Sequence, residues 1–169
     1  NNGVISGTPT ANMTQTSYTI WANNTGGSTS ASITIIIHEP HTIFSYSPSN
    51  VVLIRGSTMT LLSPTLSGGN AATWEISPSL PSGLTFNNGV ISGTPTVNMT
   101  QTTFTVWANN TGGSTVTYLN ITILEPQTVF TYNSTNIVLT RDSAMTTLSP
   151  NLSGGNAATW EISQPLPSG

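Results

Sequence analysis

His38-Glu39-Pro40-His41 is the stretch whose residue types and spacing come nearest to a metal site, with two imidazoles and a carboxylate within four residues. Its counterpart further along the chain, Leu124-Glu125-Pro126-Gln127, keeps Glu-Pro and loses both imidazoles. The histidines therefore read as linker residues, and no metal is expected. Calcium needs several acidic oxygens, whereas each Glu-Pro offers one carboxylate and Asp142 is the sole aspartate. Glu75 has no carboxylate near it in sequence to serve as an acid–base partner. Histidine occurs only in the linker, so no Ser–His–Asp triad can recur along the chain. No catalytic residue and no cofactor is expected, and the chain reads as a non-enzyme.

Two other constellations carry chemistry of a different kind. Asn-x-Ser/Thr acceptor sequences for N-glycans occur at Asn12, Asn23, Asn98, Asn109, Asn120, Asn133 and Asn151. Asn109 falls in the turn Asn109-Asn-Thr-Gly-Gly113 and Asn98 in a polar loop after Thr94-Pro95-Thr96, where a bulky sugar fits. Glycosylation is expected at several of the seven. The second constellation is a pair of tryptophans. In Phe104-Thr-Val-Trp-Ala108 a period of two turns Phe104, Val106 and Ala108 inward and leaves Trp107 outward, and Trp21 repeats this. An outward Trp on a Thr-lined strand calls for cover: a neighbouring loop, an adjacent module, or a stacked glycan.

These residues must be held by elements, and the composition limits what those can be. Arg55 and Arg141 are the only cations among 169 residues, lysine is absent, and five acids give a net charge of −3. So few cations cannot track a phosphate backbone, which excludes nucleic acid as a partner. They supply no basic patch for an anionic membrane either, and no transmembrane run is present. Thr, Ser and Asn make up about 40% of the chain, giving a neutral, hydroxyl-rich surface. With no cysteine there is no disulfide, so the apolar core alone must hold the fold.

The elements themselves come round twice. Asn1-Asn-Gly-Val-Ile-Ser-Gly-Thr-Pro-Thr10 returns unchanged at Asn87–Thr96, and Ser67–Ser77 returns at Ser153–Ser163, a period of about 86 residues. Roughly 70% of alignable positions are identical. Such a period suits an all-β sandwich module and is too long for a solenoid turn. In the internal copy, alternation predicts strands at Thr42–Tyr46, Asn50–Arg55, Thr58–Leu62, Thr73–Ser77, Thr103–Asn109 and Val116–Leu124. Trp74 and Ile76 are predicted inward and Glu75 outward. Ser67–Asn70 reads as a turn, Leu80–Leu84 as a corner, and Phe86-Asn-Asn-Gly-Val-Ile91 as a hairpin. The phase divides the chain into 1–39, the C-terminal half of one module; 40–125, a complete module; and 126–169, the N-terminal half of another.

Trp74-Glu-Ile-Ser-Pro-Ser-Leu-Pro-Ser-Gly-Leu-Thr-Phe86 followed by Gly89-Val-Ile-Ser-Gly-Thr-Pro-Thr96 closely resembles the immunoglobulin-like repeat family of large bacterial and archaeal surface proteins, which is related to cadherin-like modules. The resemblance implies tandem immunoglobulin-like antiparallel β-sandwiches on a secreted or surface protein. It implies no catalytic residues. Lacking lysine, the chain can form no Lys–Asn isopeptide staple.

Near-identical copies serve length or valency better than catalysis. The expected function is a structural repeat of an extracellular filament or surface stalk, with identical copies as partners head to tail. Adhesion or carbohydrate binding through the outward Trp residues and Asn/Thr loops is the alternative. Between Leu80-Pro-Ser-Gly83 and Asn87 lies only Leu84-Thr-Phe86, and the same tripeptide would join Leu166-Pro-Ser-Gly169 to the Asn1 of a following copy. The join is expected to be covalent, since Leu84 and Phe86 look like core residues; strand complementation is the non-covalent form.

Overall fold

The computed structural model describes residues 2–166, and among these the regular structure is all β. The strands are β1 (Met13–Asn24), β2 (Gly27–Ile37), β3 (Thr42–Ser45), β4 (Asn50–Ile54), β5 (Thr65–Gly68) and β6 (Thr73–Ser77). They continue with β7 (Leu84–Asn87), β8 (Val90–Gly93), β9 (Met99–Asn110), β10 (Gly113–Leu124), β11 (Val129–Thr131) and β12 (Asn151–Ser153).

Strands β3 to β10 make one sandwich. One layer is a four-stranded sheet in the order β4-β10-β9-β6; the other holds the pairs β3-β5 and β7-β8, tied by a bridge between Leu62 and Ile91. Alternation in the long strands points Phe104, Val106, Ala108, Leu119, Ile121 and Ile123 into the space between the layers, where all are essentially excluded from water. Phe44, Tyr46, Leu62, Leu84 and Ile91 close on them from the second layer. Trp74 and Ile76 face this core and Glu75 faces away, as the period of two requires. The Trp74 indole meets the Phe44 ring edge to face at 4.9 Å.

The Leu-Pro-Ser-Gly-Leu corner and the Gly-Thr-Pro strand end are two halves of one joint. Thr94 N–H donates to the Gly83 carbonyl at 2.9 Å and Thr96 N–H to the Ser82 carbonyl at 3.0 Å. Gly83 has φ +91°, and a Cβ there would lie 1.9 Å from the Thr94 oxygen, so only glycine fits. Asn88 and Gly89 both take positive φ in the β7–β8 turn, as that hairpin predicts.

Three expectations need correction. Thr58–Leu62 is not a strand: Leu62 and Ile91 exchange both backbone bonds at one bridge, and Met59 N–H donates to the Gly93 carbonyl. The reason is a slip in register: three residue steps from Met59 to Leu62 face two from Ile91 to Gly93, which breaks the ladder. Ser67 and Gly68, read as turn, belong to β5, which pairs with β3. And β4 runs parallel to β10, because the chain crosses between layers over Tyr46–Ser49, so the sandwich is antiparallel except at that edge.

The flanking segments reuse the same pieces. In β1–β2 the register runs from Asn24↔Gly27 to Met13↔Ile37 with a bulge after Thr16; in β9–β10 it runs from Asn110↔Gly113 to Met99↔Ile123 with a bulge after Thr102. Pairing in β11–β12, Phe130↔Leu152 among it, matches Phe44↔Leu66 in β3–β5. Phe130 and Trp160 meet edge to face at 5.1 Å. What differs is burial. Tyr18 is 41% exposed where Phe104 is 1%, and Phe130 is 51% exposed where Phe44 is 7%.

Candidate functional site

Trp107 sits in β9, a central strand of the four-stranded sheet, and its side chain lies on the face away from the core. Its cross-strand neighbours are Val116 on β10 and Glu75 on β6. These neighbours leave the indole half-buried, whereas Trp21, on the hairpin without a β6 beside it, is 62% exposed. Val116 and Tyr118, both exposed, extend the apolar patch along β10. The sequence reading missed these two. Their signal was available: β10 alternates, and with Leu119, Ile121 and Ile123 inward, residues 116 and 118 must point out.

The acceptor asparagines fall into different surroundings. Asn12, Asn23, Asn98, Asn133 and Asn151 are exposed. Asn109 is the penultimate residue of β9 rather than part of the turn, and its Nδ2 donates to Glu75 Oε1 at 3.2 Å and Thr73 Oγ1 at 3.3 Å. Asn120 lies mid-strand in β10, donating to Asn50 Oδ1 at 2.8 Å while accepting from Thr103 Oγ1 at 2.6 Å. Asn98 Nδ2 donates to Glu125 Oε1 at 2.9 Å. Asn151 Nδ2 donates to Asn133 Oδ1. A glycan attaches to this amide nitrogen and leaves it one N–H, so a single hydrogen bond survives modification.

Glu39-Pro40 is held by the module that follows it, and Glu125-Pro126 by the segments on both sides. Glu39 N–H donates to Thr111 Oγ1 at 3.0 Å, and the Pro40 carbonyl accepts from Asn110 Nδ2 at 2.8 Å. A Cβ on Gly69 would lie 2.1 Å from that Pro40 oxygen, and one on Gly155 equally close to the oxygen of Pro126. Before Pro126, Arg55 N–H donates to the Leu124 carbonyl at 2.8 Å, and Arg55 Nη2 meets Glu125 Oε1 at 3.2 Å. His41 lies over Gly113, and its ring is part of this packing. Among the described residues no three His, Cys, Asp or Glu side chains gather in one place. Glu75 is engaged by Asn109, as described above, on the outer face of the sheet.

Residues 41–124 match the model of a family described as "Putative Ig domain" (He_PIG). No curated protein sequence matches the chain. Among solved structures it is similar to a chimeric titin Z1Z2-Z1Z2 tandem functionalized with a GRGDS exogenous peptide from fibronectin, at 14% identity and a TM-score of 0.37, covering 65% of this chain and 65% of that one. The sandwich of β3 to β10 is an immunoglobulin-like domain.

Proposed function

We propose that the protein is a structural repeat of an extracellular filament or surface stalk, in which copies follow one another head to tail. The observation that carries this reading is the division of one core between two segments. Residues 2–37 hold the counterparts of Ile91, Phe104, Val106, Ala108, Leu119, Ile121 and Ile123, namely Ile5, Tyr18, Ile20, Ala22, Ile33, Ile35 and Ile37. Residues 126–166 hold the counterparts of Phe44, Tyr46, Leu62, Trp74 and Ile76, namely Phe130, Tyr132, Leu148, Trp160 and Ile162. Each set lies partly open to solvent, and each is what the other lacks. A sheet with one apolar face bare is unstable alone and prone to pair. Segment 126–166 of one copy packing on segment 2–37 of the next buries both faces in a third sandwich.

Leu84 is buried and Phe86 packs on the core. A module without their equivalents loses two core side chains, which favours copies joined covalently through such a tripeptide. Several of the seven acceptor asparagines would then carry N-glycans along an extracellular rod. Electron micrographs of the native material test this: uniform fibres of stacked modules are expected, and isolated short particles would overturn the reading. Denaturing gels distinguish a very large covalent chain from a non-covalent file of 17.6 kDa subunits.

A second reading rests on the outward patch of Trp107, Val116 and Tyr118. An aromatic face beside polar Asn109 is the kind of platform on which a sugar ring stacks, and it suits an adhesin or carbohydrate-binding module. A glycan array decides it: a specific signal lost in Trp107→Thr supports binding, and a blank array removes it.

A further inference from the structure

The head-to-tail reading leaves one charged group on each side of the proposed joint without its counterpart's partner, and the complete module supplies the missing geometry. There, Glu125 leaves the end of β10 and is gripped by the module it is leaving. Arg55 Nη2 approaches Oε1 at 3.2 Å and Asn98 Nδ2 donates to the same oxygen at 2.9 Å. Arg55 also donates its backbone N–H to the Leu124 carbonyl at 2.8 Å. The arginine comes from the turn after β4; the asparagine and glutamate come from either end of β9–β10. Split the module as the chain is split, and the arginine falls on one side while the asparagine and glutamate fall on the other.

The same three residue types recur at the matching positions. Arg141 corresponds to Arg55, Asn12 to Asn98 and Glu39 to Glu125. The turn carrying Arg141 keeps the backbone of its counterpart: Asp142 has φ +63°, where Gly56 has φ +80°. That is a conformation a non-glycine residue adopts at some cost, so the turn is already set to present its arginine. Yet the Arg141 side chain is 94% exposed, with only the adjacent Asp142 at 3.4 Å. Among the described residues no cation lies within ion-pair distance of the Glu39 carboxylate, although its backbone N–H is fixed to Thr111.

We infer that Arg141 of one copy pairs with Glu39 of the next copy, with Asn12 of that next copy sharing the carboxylate, so that the joint between copies is latched by the triad seen inside the complete module. This rests on the head-to-tail reading and adds to it a defined point of recognition. With two arginines in the whole chain, and Arg55 already engaged by Glu125, Arg141 is the cation left to meet Glu39. The latch also fixes register, because a slip of one residue along β2 would carry Glu39 away from the turn.

A charge-reversal cycle on the full chain tests it, read as the self-association constant by sedimentation. An exposed pair of this kind is worth a few-fold in affinity, and replacing attraction by like-charge repulsion roughly squares that. Arg141→Glu and Glu39→Arg are each expected to weaken association about threefold to thirtyfold. The chain carrying both is expected to return to within about threefold of the parent. Arg55→Glu is the control: it should lower the melting temperature of the complete module and leave association unchanged. If the parent associates and the double variant is as weak as the two single effects combined, the latch is wrong while the filament reading stands. If the parent stays monomeric, the cycle moves to two full copies joined through Leu-Thr-Phe, with Arg141→Glu in the first and Glu39→Arg in the second. Each change should then lower the composite module's melting point by up to about 8 °C, with recovery in the pair. A composite module that folds without this coupling overturns the latch alone, and one that never folds overturns the head-to-tail reading with it.

Discussion

Tyr46 is the residue at which burial has the clearest chemical consequence. Its ring packs in the core against Phe44 and its hydroxyl donates to the Gly89 carbonyl at the β7–β8 turn. Desolvation pushes the phenol up from its ordinary value of about 10 to about 12. The folded protein keeps this proton where the unfolded chain releases it. The stability it contributes is therefore present below pH 10 and is lost as pH rises from 10 through 12. With so few other titratable groups, the melting temperature should stay nearly flat from mildly acidic to mildly alkaline pH and fall above pH 10. In Tyr46→Phe the loss of one hydrogen bond should lower stability by about 1 kcal/mol at neutral pH, and the alkaline fall should shrink. Melting curves measured against pH for both proteins check this. The tryptophans separate in the same way. Trp74→Thr removes the ring that packs on Phe44 and covers Gly89, and should cost about 3–5 kcal/mol. Trp107→Thr, on the outer face, should cost less than about 1.5 kcal/mol of folding stability, as read by urea denaturation.

At the scale of elements, the Gly83 corner is the joint with least tolerance. Gly83→Ala places a methyl 1.9 Å from the Thr94 carbonyl on a backbone at φ +91°. The corner and the end of β8 must then part, at an expected loss of more than about 2 kcal/mol in chemical denaturation. Alanine at Gly3, where nothing lies within 4 Å of the added methyl, should cost less despite its positive φ. Where an element carried its own period it was legible in the sequence: β4, β6, β9 and β10 follow apolar alternation, and the Asn88-Gly89 turn announces its hairpin. The segment from Thr58 to Leu62 alternates too, yet forms one isolated bridge and no strand. Its pairing with β8 slips by one residue between Leu62–Ile91 and Met59–Gly93, and that depends on another part of the chain. The parallel edge of β4 escaped for a similar reason, since strand direction depends on which layer the chain enters after Tyr46. Of the candidate site, Trp107 was legible from its phase, while Val116 and Tyr118 needed the pairing with β9 to bring them beside it. The Arg55–Glu125–Asn98 cluster joins residues up to 70 positions apart and leaves no local trace.

At the scale of the whole molecule one asymmetry dominates: equivalent residues are buried in the central sandwich and more open to solvent in the flanking segments, where β1–β2 and β11–β12 keep the register of their counterparts. Burying such side chains is worth about 1.5–3 kcal/mol apiece, so an open half-sandwich carries a large incentive to meet its complement. At Glu125-Pro126 the linker is held from both sides, by Arg55 and Asn98 before it and by the close approach of Gly155 after it. The most direct test of this account is hydrogen exchange on two copies joined through Leu-Thr-Phe. The amides of residues 126–166 in the first copy and 2–37 in the second should be protected to the level of Phe104, Leu119 and Ile121 in the complete module. The same segments at the two free ends of that molecule should exchange much faster. If all four flanking segments exchange at the rate of the free ends while the complete modules remain protected, the halves do not form a module and the account is contradicted.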